Sequence, residues 1–304
     1  MRPRGAIVLI GVLVLAACGG DDNGGGSSTS ISADGSSTVG PLATAAVERY
    51  EDENPDARIT VGISGTGGGF ERFCRGETDL SDASRPIEDE ERQACEQEGI
   101  EFTELQVAND ALTVVVSAEN DWAECLTVDQ LKRIWGPGSK VNNWQDVDPS
   151  FPGQELKLYG PGTDSGTFDY FTDEINGEEG ASRSDYSASE DDNVIVRGVA
   201  GDPGALGYFG FTYFEENQDT LNAVSIDSGG GCVAPSAETA QSGEYKPLSR
   251  PLFTYVKTAS LERDGVRDFL SFWLDNSEEI ADAARFVPMT DDQLTESQDA
   301  LEAA

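Results

Sequence analysis

Three times in this chain a strand-like run gives way to a short turn of glycine, serine and threonine, and then to the start of a helix. The turns are Asp34–Pro41 (DGSSTVGP), Gly62–Phe70 (GISGTGGGF) and Tyr159–Phe168 (YGPGTDSGTF). Each sets hydroxyls beside the first backbone N–H groups of a helix, which lack intrahelical acceptors and sit at the positive end of its dipole. Small residues matter there because a ligand can then reach the backbone without meeting a bulky side chain. One such turn is usually no more than a turn. Three in one chain point to loops converging on one small oxyanion. None carries the GK[ST] of a nucleotide P-loop, and none has the spacing of a dinucleotide fingerprint.

The segments around these turns alternate in period. Val39, Leu42, Ala46, Val47 and Tyr50 fall at helical spacing, and Asn54-Pro55 ends that helix. Arg58–Ile63 reads as a strand, and Phe70 and Phe73 open a second helix. The β-branched run Ala111–Val116 reads as a buried strand. Thr127 and Gln130 form a capping box before Leu131, Ile134 and Trp135. Leu156–Tyr159 is a strand, followed by a helix marked by Phe168, Phe171 and Ile175. Asn193–Val196 and Leu206–Phe209 are further short elements, and Leu261–Ala284 is helical. This alternation predicts an α/β protein with mostly parallel strand pairing.

The first residues set the compartment. Arg2 and Arg4 precede the 12-residue apolar run Ala6–Ala17, too short for a permanent span but suited to a signal peptide. Leu15-Ala16-Ala17-Cys18 then reads as a lipoprotein cleavage site, with Cys18 carrying the lipid. Residues 1–17 are expected to be removed, and 18–30, rich in Gly, Ser and Asp, to act as a tether. Cys74, Cys95, Cys125 and Cys232 remain, an even number for an oxidising compartment. Of the three pairings we favour Cys74 with Cys95 and Cys125 with Cys232, because the first two are close in sequence and flank one helical region. With no histidine and no CxxC spacing, neither a metal nor a cofactor is expected.

The formal charge is −37, from 57 acidic against 20 basic residues. That balance excludes nucleic acid and anionic lipid as partners. It also repels an anionic ligand at long range. Affinity must therefore come from short-range, oriented donors, with screening beyond about 8–10 Å at physiological salt.

Between the second and third turns lies Asp79–Ile87 (DLSDASRPI). The ordered set SSTV, SGTGGGF, FCRGETDLSDASRPI and YGPGTDSGTFDYF resembles the phosphate-binding proteins of the Pst ABC transporter. The match runs with compatible spacing from Asp34 to Phe171 and more loosely to the C-terminus. The resemblance implies phosphate-binding roles for Thr38 and Val39 with Ser37 adjacent, for Thr66 with Ser64 and Gly67 close by, and for Ser165, Gly166 and Thr167. The best-known branch differs at two positions, with an aspartate where this chain has Ser84 and an arginine where it has Pro161. We read a compensation. Arg85, beside Ser84, supplies a guanidinium able to grip two oxygens of a tetrahedral anion. Asp164, beside Ser165, supplies a carboxylate that accepts the proton phosphate carries and sulfate lacks. The bland alternatives are an Arg85–Asp82 ion pair and Asp164 as a helix cap, and Asp82 is the second candidate for the carboxylate.

The resemblance further implies a two-lobed periplasmic-binding-protein-like fold (type II) with the ligand cleft between lobes. We expect 31–112 to build the first lobe, 113–205 the second, and 206–304 to return to the first, with crossings at Leu112–Val116 and Gly204–Phe211. The expected function is capture of inorganic phosphate outside the membrane, by a monomer, for the permease of an ABC importer, without chemistry on the ligand. The rivals are a binding protein for sulfate, molybdate or arsenate, a surface phosphate-ester hydrolase, and a signalling or adhesive lipoprotein on the same scaffold.

Overall fold

The computed structural model describes residues 30–163 and 165–304. The expected signal peptide, the expected tether with Cys18 apart from Ser30, and Asp164 lie outside the described residues.

Local sequence sets the first elements as its pattern predicts. Strand β1 (Ser30–Gly35) leads into helix α1 (Val39–Glu53), whose residues Val39, Leu42, Ala43, Ala46, Val47 and Tyr50 are buried along one face. The helix ends where Pro55 could not continue its ladder, with the Asn54 amide donating to the Tyr50 carbonyl at 2.9 Å. Strand β2 (Arg58–Ile63) follows, and α2 (Thr66–Cys74) starts earlier than the aromatic residues alone predicted, taking Gly67–Gly69 into its first turn. Gly65 makes that start possible. Its φ of +78° is a left-handed conformation that side-chain-bearing residues rarely adopt. Strand β3 (Leu80–Ala83) and helix α3 (Asp89–Gln97) come next, and Cys74 is bonded to Cys95 between α2 and α3.

The expected strand at Ala111–Val116 is the end of something longer. Strand β4 runs unbroken from Phe102 to Ser117. The remaining strands are β5 (Cys125–Thr127), β6 (Lys157–Gly160), β7 (Ser187–Ala188), β8 (Ala205–Gly210), β9 (Leu221–Ala223), β10 (Ser225–Asp227), β11 (Cys232–Val233) and β12 (Ser249–Lys257). The principal sheet has the order β2-β1-β3-β12-β4-β8-β6-β7, with β9 also on β4.

This order divides the molecule into two lobes. In the first, β1 lies parallel to β2 and β3, and β12 runs antiparallel between β3 and β4 from Ser249 opposite Ala111 to Lys257 opposite Phe102. In the second, β8 pairs antiparallel with Leu112–Val116 of β4 and parallel with β6. A small sheet, β11-β10-β5, completes it, and Cys125 is bonded to Cys232. Gly204–Phe211 is thus not the return crossing that the sequence suggested. It stays in the second lobe because its strand is paired to β6 and to the far half of β4. The chain re-enters the first lobe at β12.

Each lobe has its own core. Helix α1 and the C-terminal helices cover one face of the first lobe, with Trp273, Phe269 and Leu270 buried there, and Phe70, Phe73 and Tyr255 fill the other. Trp135, Trp144, Phe171 and Tyr208 centre the second. Fully burying one such side chain contributes roughly 1.5–3 kcal/mol. Ala111, Phe211, Ala240 and Val287 form a small apolar cluster at the junction.

Candidate functional site

Three loops from two lobes meet at one cleft of about 380 Å³, lined by Ser36–Thr38, Ser64–Gly68, Ser84, Arg85, Gly166 and Arg250 among others. The parallel strands of the first lobe put the first two loops side by side. β1 and β2 are in register from Ser30 opposite Arg58 to Gly35 opposite Ile63, so both end at the same edge of the sheet. The third loop arrives from the second lobe after β6. Contact is close: a Cβ on Gly166 would lie 3.0 Å from the Thr38 hydroxyl and 3.3 Å from its backbone nitrogen. Only glycine lets the lobes come this near.

The expected residues fall into groups. Ser37, Thr38, Ser64, Thr66, Gly67, Ser84, Arg85 and Gly166 line the one cleft. Ser165 and Thr167 face an adjoining recess of about 230 Å³ that shares Ser37, Thr38 and Gly166 with it. Val39 is fully buried at the first turn of α1. The Ser36 hydroxyl, which the sequence reading passed over, accepts from the amides of Thr38 and Val39 at 3.2 and 3.4 Å and fixes the loop. The Thr66 and Ser84 hydroxyls are 3.1 Å apart, and Ser64 Oγ donates to Asp34 Oδ1 at 2.8 Å. Ser165 caps the third helix start by accepting from the Thr167 amide at 3.2 Å.

Arg85 requires a correction. It reaches the cleft wall, but Nη1 and Nη2 donate to the two carboxylate oxygens of Glu91, both at 2.8 Å, and Glu88 lies 3.3 Å from Nε. The fork that was expected to hold an anion holds Glu91. This is an ion pair, though not with Asp82, which lies inside β3 and is 1% exposed. Nor does Asp82 line the cleft. Burial raises its pKa to about 7, and the nearby Asp34 adds to the rise.

The guanidinium deep in the cleft is Arg250, which sequence reasoning missed. Its Nη2 donates to Thr38 Oγ1 at 2.9 Å, and its Nε faces Asp110 Oδ2 at 3.3 Å. Its face lies 3.5 Å from the centre of the Tyr170 ring. The side chain touches the first lobe, the junction strand β4 and the second lobe at once. Burial raises the pKa of Asp110, and Arg250 pulls against it. Arg250 stands directly opposite Asp110 in the β12–β4 ladder. Its place is therefore set by a long-range register that no local motif announces.

Gly166 of the third loop, the hydroxyls of the first two loops and of Ser84, and the guanidinium of Arg250 suit a small, rigid oxyanion. Among the described residues no cluster of acidic or cysteine side chains is arranged to hold a metal ion, and no helix is long and apolar enough to cross a membrane.

Comparison with known proteins agrees with this architecture. The model of the PBP superfamily domain matches residues 22–277. The protein SphX of Synechocystis is 44% identical over 94% of this chain and 84% of its own length. The phosphate-binding protein PstS of Staphylococcus saprophyticus is 39% identical over 95% of this chain and 90% of its own. The crystal structure of a possible phosphate-binding protein from Planctomyces limnophilus superposes with a TM-score of 0.87 at 43% identity, covering 91% of this chain and 98% of that one. The chain belongs to the PBP superfamily and, within it, to the family that contains PstS and SphX.

Proposed function

We propose that this chain captures inorganic phosphate outside the cytoplasmic membrane and delivers it to an ABC-type importer, without altering the ligand. The observation that carries this reading is the convergence of Thr38, Thr66, Ser84, Gly166 and Arg250 on one cleft between two lobes. A relative 39% identical over nearly the whole chain bears the name phosphate-binding protein. The ligand groups are the hydroxyls of Ser37, Thr38, Thr66 and Ser84, the backbone at Val39, Gly67 and Gly166, and the guanidinium of Arg250 in place of Arg85. Ser64 holds its loop through Asp34, while Ser165 and Thr167 hold the third. Asp164 remains assigned as the acceptor of the phosphate proton. Cys18 carries the lipid anchor, 31–111 and 249–304 make one lobe, and the protein works as a monomer. The test is calorimetry with phosphate and sulfate in parallel. Phosphate should bind far more tightly, and Arg250→Lys, which loses the planar paired donors, should weaken it at least tenfold at an unchanged melting temperature. Equal affinity for the two anions would overturn the reading.

A further inference from the structure

The wall of the cleft that faces the hydroxyl loops is acidic. Asp169 comes from the helix Gly166–Phe171, Asp173 and Glu174 from the π-helical turn Thr172–Asn176 that continues it, and Glu179 from the loop beyond. Two guanidinium groups line the same space. Arg85 is committed to Glu91 and Glu88, and Arg250 has the buried Asp110 behind it. Carboxylates therefore outnumber cations four to two before any anion enters. These side chains are not grouped as a metal cage, so the excess does not await a cation.

We propose that Asp169 is a further residue of the anion site, and that it takes up a proton when phosphate binds, so that the ligand meets a carboxylic-acid donor instead of a repelling carboxylate. This rests on the phosphate reading above. Asp169 lies one turn past Ser165, its amide donating to the Ser165 carbonyl at 3.1 Å, on the helix face that also brings Gly166, Tyr170 and Asp173 to the cleft. It is half-buried. Burial raises its pKa above the ordinary carboxylate range, the neighbouring Glu179 adds to the rise, and Arg250 opposes it. Glu174 beside it is also raised, by partial burial and then by Asp173, against Arg250, but it is the more solvent-accessible of the two residues.

Arg250 is thus the cation whose charge opposes protonation of Asp169. A phosphate seated on Arg250 engages that positive charge and sets negative charge beside Asp169. Both changes favour the neutral acid. The other groups around Asp169 do not offset them. Tyr170 and Tyr208 are buried phenols held neutral, Asp110 is anionic or neutral behind Arg250, Asp173 and Glu179 are acidic, and Arg85 is neutralised by Glu91 across the cleft.

The experiment is calorimetric titration of the purified chain with inorganic phosphate at about pH 6, in two buffers of different ionisation enthalpy. The wild type should take up roughly half a proton more per phosphate than Asp169→Asn, while the variant binds phosphate at least as tightly at pH 8. Protons exchanged by phosphate itself are common to both proteins and cancel in the difference. Equal proton numbers overturn the assignment. Should the variant fail to fold, the carboxyl carbon of Asp169 is followed by NMR in the wild type. Its titration should move to higher pH when phosphate is added, and an unmoved titration overturns the assignment equally. Absence of any phosphate binding by the wild type would retire the phosphate reading itself. Binding without Asp169-dependent uptake retires only this residue.

Discussion

Asp82 shows what a single buried side chain can impose on the whole. It lies in β3, and neither carboxyl oxygen has a hydrogen-bond partner among the described residues. With its pKa raised from 3.8 to about 7, the folded state binds more protons than the unfolded one between those values. Stability must therefore fall as pH rises from about 4 to 7 and stay low above it. A shift of this size corresponds to something on the order of 4 kcal/mol at most. Asp82→Asn keeps the shape and removes the charge. The variant should melt higher than the wild type at pH 8 and differ little at pH 4.5 in scanning calorimetry. Identical pH profiles would show that Asp82 is solvated or paired in solution. The residue scale is also where sequence reading did unevenly. That Thr38, Thr66 and Ser84 line the cleft was legible because each stands in a local motif. Arg250 was not, because Ser249-Arg250-Pro251 is an ordinary strand start, and its role comes from facing Asp110 across a ladder and Tyr170 across the cleft. Arg85 misled because adjacency to a motif says nothing of the Glu91 carboxylate six residues on, in the first turn of α3.

Among the elements, local signals were read well and pairings were not. The capping box at Thr127 is present, with the Gln130 amide donating to Thr127 Oγ1 at 3.1 Å and the Gln130 side chain accepting from the Thr127 amide at 2.8 Å. The disulfides follow the favoured pairing. The terminal helix Asp291–Ala303 was missed because it buries little beyond Ser297 and Leu301 and so lacks a clear apolar stripe. Strand β8 was misplaced because a buried strand looks the same in either lobe. The third loop gives the element-scale prediction. Gly166→Ala puts a methyl 3.0 Å from the Thr38 hydroxyl and 3.3 Å from its backbone, so one of the two loops must give by a few tenths of an ångström for the lobes to close. Overpacking of this kind costs about 1–3 kcal/mol, here charged to lobe closure and not to folding. Phosphate affinity should fall roughly ten- to a hundredfold with the melting temperature nearly unchanged. A fall in melting temperature at constant affinity would place the contact in the fold and not in closure.

Across the whole molecule the net charge of −37 acts against its own ligand. The repulsion is long-range and screened by salt, whereas the grip proposed for Arg250 and the hydroxyls is short-range and is not. Stopped-flow association of phosphate should therefore speed up several-fold between about 0.02 and 0.5 M salt, over which the Debye length falls from roughly 20 to 4 Å. A rate that slows with salt would mean that local cations steer the approach despite the surface.

Strand β4 gives the two lobes a common member. At about 3.3 Å per residue its 16 residues reach roughly 50 Å. β12 holds it as far as Ala111, and β8 takes over at Leu112. β12 lies along one edge of β4 and β8 along the other, so the change of partner falls at a single peptide unit, with Val287 and Phe211 packed around Ala111. The molecule is therefore built like tweezers cut from one strip of metal, not like two jaws on a pin. Such an instrument has a rest position set by the temper of the strip, springs back when its load is removed, and lets go of what it carries without needing to be pried apart.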